Sequence, residues 1–280
     1  VMETITIPKE KFNPAEVSAV EAEAINKPSL SFWQDAWLRV RKNKGAIISL
    51  IIISILVLLA IFGPMISGKS GTKQNVHHSN LPAKIPVLEN VEWLPFDGTM
   101  ETKAGKTIDM YEKKGVPDDV YYWFGTDSLG RDLFTRLWEG TRISLYIGML
   151  AALIDLIIGV MYGAISGYFG GRIDTIMQRV TEVIMGIPNL IVVVLMILVL
   201  KPGILSITIA LSITGWVTMA RVVRAQVMKL KEQEFVLASR TLGASHAKII
   251  FKHMLPNLAG IMIINTMFTI PSAIFFEAFL

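Results

Sequence analysis

The chain has 280 residues, is 52% hydrophobic and carries a formal net charge of +4. That apolar share, above the ~45–50% usual for soluble domains, comes with long unbroken apolar runs and excludes an ordinary soluble globule. The modest charge gives no reason to invoke nucleic acid, and the lack of cysteine excludes disulfides and thiolate metal sites.

Residues 1–30 are polar and mixed in charge, with no short apolar core or small-residue cleavage site. They read as a cytoplasmic N-terminal tail, not a cleaved signal peptide. In "SLSFWQDAWLRVRKNKG", Ser31 is placed to cap a helix, with Gln34 completing a capping box. Trp33, Trp37 and Val40 share one face, and Arg39 and Lys42 decorate the rest. The pattern predicts an amphipathic helix over 31–45, lying in the inner membrane interface.

Ala46–Ser67 is the first span, long enough to cross ~30 Å of hydrocarbon at ~1.5 Å per residue. Segment 68–142 follows, outside the cell. Its first part, 68–120, is rich in Gly, Pro, Lys and Asp, and "FDGT" and "KAGK" read as turns between short strands of a small insertion. Then Leu133, Phe134, Leu137 and Trp138 fall on one helical face, with Asp127 or Ser128 as the cap. This predicts a second interfacial helix leading into the next span.

Four further spans are expected at Ile143–Ser166, Ile176–Leu200, Ile204–Ala220 and Leu258–Leu280. The fold class is therefore an all-α integral membrane protein with five spans, 143–280 forming its core. Lipid offers no partners to bare backbone groups, so helices are the open-chain solution. Basic residues cluster at Arg39–Lys44, at Arg172 and Arg179, and between the last two spans from Arg221 to Lys252. All lie on one side if the N-terminus is cytoplasmic.

Several motifs need weighing. "GPMISGKS", Gly63–Ser70, fits a phosphate-binding loop pattern, but such a loop follows a strand and opens a helix, and here an apolar span precedes it. It is rejected. Asp155 sits in the second span, where a carboxylate costs about 2.5–3.5 kcal/mol. It lies on a stripe of small residues, Gly148, Ala152, Gly159, Gly163 and Gly167, that lets helix backbones approach closely. The first reading of Asp155 is a hydrogen bond between helices; the second is a place on a translocation path. Pro188 is expected to kink the third span. His77 and His78 lack the further ligands a metal needs and read as a solvated loop, and His246 and His253 read as surface residues. No HExxH helix, G-x-S-x-G elbow or cysteine nucleophile is present, so nothing points to an enzyme.

Between the last two spans, Lys231–Leu242 reads as a helix with Phe235, Ala238 and Leu242 on one side. Gly243 suits the left-handed turn that ends a helix, Ser245 caps a second helix, His246–Leu255, and Pro256 begins the last span. A bent, stiff projection with an apolar face and a basic rim is shaped for a groove on another protein.

These residues carry a resemblance. The chain resembles an inner-membrane permease subunit of an ABC importer, in the oligopeptide/dipeptide (and nickel) branch and of the second-permease, C type. The signature E-A-A-x-x-x-G followed by I-x-L-P is matched by Gly243, by Leu255 and Pro256 at the family's spacing, and by Ala238 and Ser239 at the two alanines. Leu237 stands at the glutamate position and His253 at the isoleucine position. "WFGTDSLGRDLFTRL", "GYFGGRID", "GWVTMARVVRAQV" and the closing "AIFFEAFL" resemble the same branch.

The resemblance implies a multi-pass protein of the bacterial cell membrane, in which two homologous permease subunits form the channel. Two ATPase subunits below hold ATP and magnesium, an extracellular binding protein delivers peptide, and this chain needs no cofactor. It implies that segment 224–256 couples to an ATPase through Glu234, Phe235, Ala238, Ser239, Arg240, Thr241, Leu242, Gly243, Ala244, Ser245 and His246. It also implies six spans, so a final helix and tail are expected to be absent from a sequence that stops at Leu280 inside an apolar run. The rival readings are a permease for nickel or another small solute, and a proton-coupled carrier using Asp155, for which inverted repeats would speak; none is visible.

Overall fold

The structure is a computed structural model that describes residues 31–91, 93–101 and 105–279. The expected tail at 1–30 and the first half of "KAGK" lie outside the described residues. The chain divides into two compact units at Ile55/Leu56.

The first unit holds helix α1, Phe32–Lys42, and the start of α2, Lys44–Ser67. The capping box is present: Ser31 N–H donates to Gln34 Oε1 at 3.0 Å, and Gln34 N–H to Ser31 Oγ at 3.4 Å. Asp35 in the first turn and Arg39, Arg41 and Lys42 in the last complement the helix dipole. Asn43 leaves the helical conformation and ends α1. Its Oδ1 then accepts from Ala46 N–H at 3.3 Å, so one residue closes α1 and opens α2.

In the second unit, residues 68–132 form a polar insertion with its own small core of Leu81, Tyr111, Val116 and Tyr122. Strands β1, Thr99–Glu101, and β2, Thr107–Asp109, pair antiparallel with Met100 opposite Ile108. Asp109 caps a single helical turn, α3, Met110–Lys113, by accepting from the N–H groups of Tyr111 and Glu112. Lys69, the lysine of the rejected phosphate-loop pattern, lies 3.3 Å from the centroid of the Tyr122 ring and donates to Tyr121 O. Burial lowers its pKa to about 8, against the pull of Asp132. His78 is no solvated loop residue: its Nδ1 is 2.8 Å from Tyr122 Oη.

The next helix is capped by Asp132, not by Asp127 or Ser128. Asp132 Oδ2 accepts from Thr135 N–H at 2.9 Å, from Thr135 Oγ1 at 2.5 Å and from Ser67 Oγ at 3.1 Å. Asp127 is spent inside the preceding loop, on the N–H groups of Leu129 and Arg131 and the side chains of Arg131 and Arg136. These partners, the Arg131 N–H foremost, hold its pKa down to about 2.

Helix α4, Leu133–Ile154, passes through one wide π-type turn, Asp155–Gly159, into α5, Val160–Phe169. The 37-residue stretch Leu133–Phe169 is one apolar helix. At ~1.5 Å per residue it reaches about 55 Å, well beyond a bilayer core. The interfacial helix and the span expected from Ile143 are thus a single element.

The expected third span is broken rather than kinked. Helices α6, Gly171–Met185, and α7, Asn189–Leu200, meet at 74°. Gly186 ends the first, and Pro188, with no N–H to offer a continuing helix, stands at the start of the second. Helices α8, Ile204–Thr214, and α9, Trp216–Leu230, together form one apolar run. After α10, Glu234–Thr241, the chain turns and runs from α11, His246–Lys248, through a π-type segment, Ile249–Met254, into α12, Leu255–Phe279. Among the described residues, four helices are long and apolar enough to cross a membrane, and the bent pair makes a fifth if it is one span.

The core forms where α5 packs on α9, with α12 along α4 and α7 along α8. The small-residue stripe is what permits it. A Cβ on Gly159 would lie 2.6 Å from Met219 Cβ, one on Gly167 2.6 Å from Arg224 O, and one on Gly163 would strike Ala220 O.

Candidate functional sites

Two places stand out: a cavity between the long helices and the elbow at Gly243. The cavity, about 300 Å³, is lined by Ala151, Asp155, Asn189, Leu211, Gly215, Thr218, Met219, Asn265, Phe268, Thr269, Ser272, Ala273 and Phe276. Asp155 lies in the wide turn between α4 and α5 and is only 5% exposed. Thr269 Oγ1 of α12 donates to its Oδ2 at 2.8 Å. The hydrogen bond between helices is therefore present, and the carboxylate lines the cavity as well. π-type turns displace a side chain from the regular helical register, which is one way to aim Asp155 inward.

At the elbow, α10 ends in a Schellman motif: Gly243 N–H donates to Arg240 O at 2.9 Å and Ala244 N–H to Ser239 O at 3.1 Å. Gly243 has φ +77°, the left-handed conformation its type allows. Ser245 caps the following helix through Lys248 N–H at 3.4 Å. That helix does not stop before Pro256. The π-type segment lets Leu255 N–H reach Ile250 O and takes up the proline, whose ring would crowd a regular turn. The second arm of the elbow and the last span are one continuous helix, His246–Ala278.

The elbow is anchored from within. Val236, Ile249, Ile250 and Met254 are buried and share a core with Val160, Ala164, Tyr168, Val223 and Val227. Its outer side shows Phe235, Leu237 and, at the tip, Leu242 at 87% exposure. Of the residues expected to couple, Glu234, Phe235, Ala238, Arg240, Thr241, Leu242, Gly243, Ser245 and His246 are exposed, and Ser239 and Ala244 are half-buried. Asp155 is not among them; it belongs to the cavity.

Sequence reasoning missed two supports. Tyr168 is buried, its Oη 2.8 Å from His246 Nδ1, with the Arg240 guanidinium 5.0 Å above its ring. So His246, exposed as expected, is also a tie to α5. Asp174 and Arg224 form a two-pronged pair with both bonds at 2.5 Å. Ser166 Oγ also donates to Asp174 at 2.5 Å, and Gln178 Nε2 donates to Ser166 Oγ at 3.2 Å. The sequence offers Arg224 as a positive charge near the membrane and as the first residue of the coupling segment 224–256, not as an ion-pair partner. The one available signal was the acid in "GYFGGRID", placed just after the two glycines that turn the chain. Among the described residues, no three His, Asp or Glu side chains gather as a metal site would need.

Long apolar helices packed on a small-residue stripe, around a cavity and beside a hydrogen-bonded elbow, make this a multi-pass helical membrane protein. The profile of the binding-protein-dependent transport system inner membrane component matches residues 159–280, and that of the N-terminal transmembrane domain of oligopeptide transport permease C matches residues 31–83. The oligopeptide transport system permease protein OppC of Bacillus subtilis (strain 168) is 44% identical over 98% of this chain and 78% of its own length. The dipeptide transport system permease protein DppC of the same organism is 43% identical over 98% and 75%. DppC of Lactococcus lactis subsp. cremoris (strain MG1363) is 46% identical over 92% and 76%. A solved methionine ABC transporter, MetNI, in an inward-facing form, matches at 17% identity and a TM-score of 0.46, over 51% of this chain and 72% of that one. The chain belongs to the binding-protein-dependent ABC importer permeases, in the C-type branch of the oligopeptide and dipeptide permease proteins. It is a bacterial membrane transport subunit and not an enzyme, and a proton-coupled carrier is not favoured.

Proposed function

We propose that this chain is one of two homologous permease subunits of an importer that carries oligopeptides or dipeptides into the cell. The N-terminus and the elbow face the cytoplasm, α1 lies in the inner interface, and the 68–132 insertion faces outward. Two ATPase subunits, holding ATP and magnesium, sit beneath, and a binding protein delivers peptide from outside. The elbow, Glu234 to His246, enters a groove on one ATPase. Movement of the ATPases pulls the elbow and rocks the helices so that the cavity opens to the other side.

The observation that carries this reading is the continuity of the elbow with the last span. A pull at Leu242 passes through a hydrogen-bonded turn into a helix that runs unbroken from His246 to Ala278. A flexible link would absorb that displacement; this one is closed at Gly243 and packed at Val236, Ile249 and Met254. The test is uptake by proteoliposomes holding the purified complex with ATP enclosed. Labelled peptide presented on the binding protein is expected to accumulate only with ATP. Accumulation driven by a proton gradient alone, or of nickel in place of peptide, contradicts the reading.

A further inference from the structure

We infer that Asp155 is the subsite for the positively charged amino terminus of the peptide in transit; this rests on the peptide-importer reading above. Asp155 Oδ2 is engaged by Thr269 Oγ1, while no hydrogen bond to Oδ1 is formed among the described residues. Among the described residues, no lysine, arginine or histidine lines the cavity. With one hydroxyl donor and no counter-charge, a bare carboxylate between helices is costly, and an incoming ammonium supplies the missing counter-charge in place of a proton.

Gly215 packs close to that oxygen, where a larger residue would crowd it. A Cβ on Gly215 would lie 2.9 Å from Asp155 Oδ1. Nearby, Asn189, Thr218, Asn265 and Ser272 offer further polar groups at the cavity wall. An ammonium brings three donors and no acceptor, which suits one charged oxygen plus neutral oxygens around it. At about 300 Å³ the cavity is at the small end of the ~300–1,000 Å³ typical of ligand pockets, so it takes one end of a peptide rather than a whole oligopeptide. The carboxylate end would meet repulsion from Asp155, which leaves the amino end.

A purely structural role makes a different demand. The bond to Thr269 needs only an acceptor, and the amide oxygen of asparagine supplies one; the cation site needs the charge. The complex is therefore tested in proteoliposomes with tri-alanine delivered by the binding protein. Asp155→Asn is expected to lower tri-alanine uptake roughly 10–100-fold, while ATPase stimulation by loaded binding protein persists. Asp155→Glu, which keeps the charge on a side chain one methylene longer, is expected to retain roughly tenfold more uptake than Asp155→Asn. Wild-type uptake by Asp155→Asn, or equal losses in both variants, overturns the proposal. Should Asp155→Asn fail to assemble, the wild-type complex decides through a tripeptide bearing a photoreactive diazirine on its first or third residue. Attachment of the first-residue probe near Asp155 or within Asn265–Phe276 supports the subsite. Attachment there by the third-residue probe alone, or by neither, overturns it. A wild-type complex that imports no tri-alanine under ATP sinks the importer reading instead, so the two failures are distinguishable.

Discussion

Replacing Gly243 by proline is expected to reduce peptide uptake by roughly tenfold or more, while the ATPases continue to hydrolyse ATP. The reason is local and double. Proline fixes φ near −65°, far from the +77° that Gly243 adopts. It also removes the N–H that donates to Arg240 O. The two arms of the elbow must then leave at another angle, and the tip no longer moves with the last span. The series should be graded. No atom lies within 4 Å of the position where a Cβ would stand, so Gly243→Ala meets backbone strain alone, about 1–2 kcal/mol, and should retain most uptake. Gly243→Val adds a stiff branched side chain and should fall between. Uptake and ATP hydrolysis measured on the same preparations check this. Proline at wild-type coupling would show that the elbow does not transmit the stroke.

The second large effect belongs to the fold. Gly163→Val is expected to destabilise the chain by on the order of 3 kcal/mol or more and to prevent its accumulation in the membrane. The obstacle is backbone, not a side chain that can swing aside. A Cβ on Gly163 would overlap Ala220 O and lie 3.0 Å from Arg224 N. Helices α5 and α9 would have to separate, opening the contact between Val160 and Ala164 on one side and Met219, Val223 and Val227 on the other. Separation would also strain the Asp174–Arg224 pair that ties α6 to α9. Gly260→Val is the control: it too sits in a spanning helix, but nothing lies within 4 Å of its Cβ position. Membrane levels of the two variants, and thermal unfolding in detergent, provide the comparison. Equal levels would mean that the close approach of α5 and α9 is not needed.

What was legible in the sequence had a short range. The glycine stripe could be read because helical spacing places Gly159, Gly163 and Gly167 on one face whatever the partner is. The capping box at Ser31 and Gln34 and the left-handed turn at Gly243 are also local, and both are found where the residue types require them. The elbow's closing bonds follow from that turn. What could not be read depends on distant partners. Arg224 meets Asp174 across 50 residues, and His246 meets Tyr168 across 78. Proline misled in two ways. Pro188 marks a 74° break where a kink was expected, whereas Pro256 leaves its helix continuous because a π-type segment precedes it. At Asp155 the small-residue stripe pointed to a protein-facing carboxylate, but only the packing of α12 supplied Thr269 and the cavity beside it.

The most direct test uses the absence of cysteine from the chain. Leu242→Cys places a single thiol at the exposed tip of the elbow. In intact cells, a membrane-impermeant maleimide should leave it unlabelled. After permeabilisation it should be labelled when the ATPase subunits are missing and protected when they are present. Labelling from outside in intact cells, or labelling indifferent to the ATPases, would contradict a cytoplasmic elbow gripped by a motor subunit.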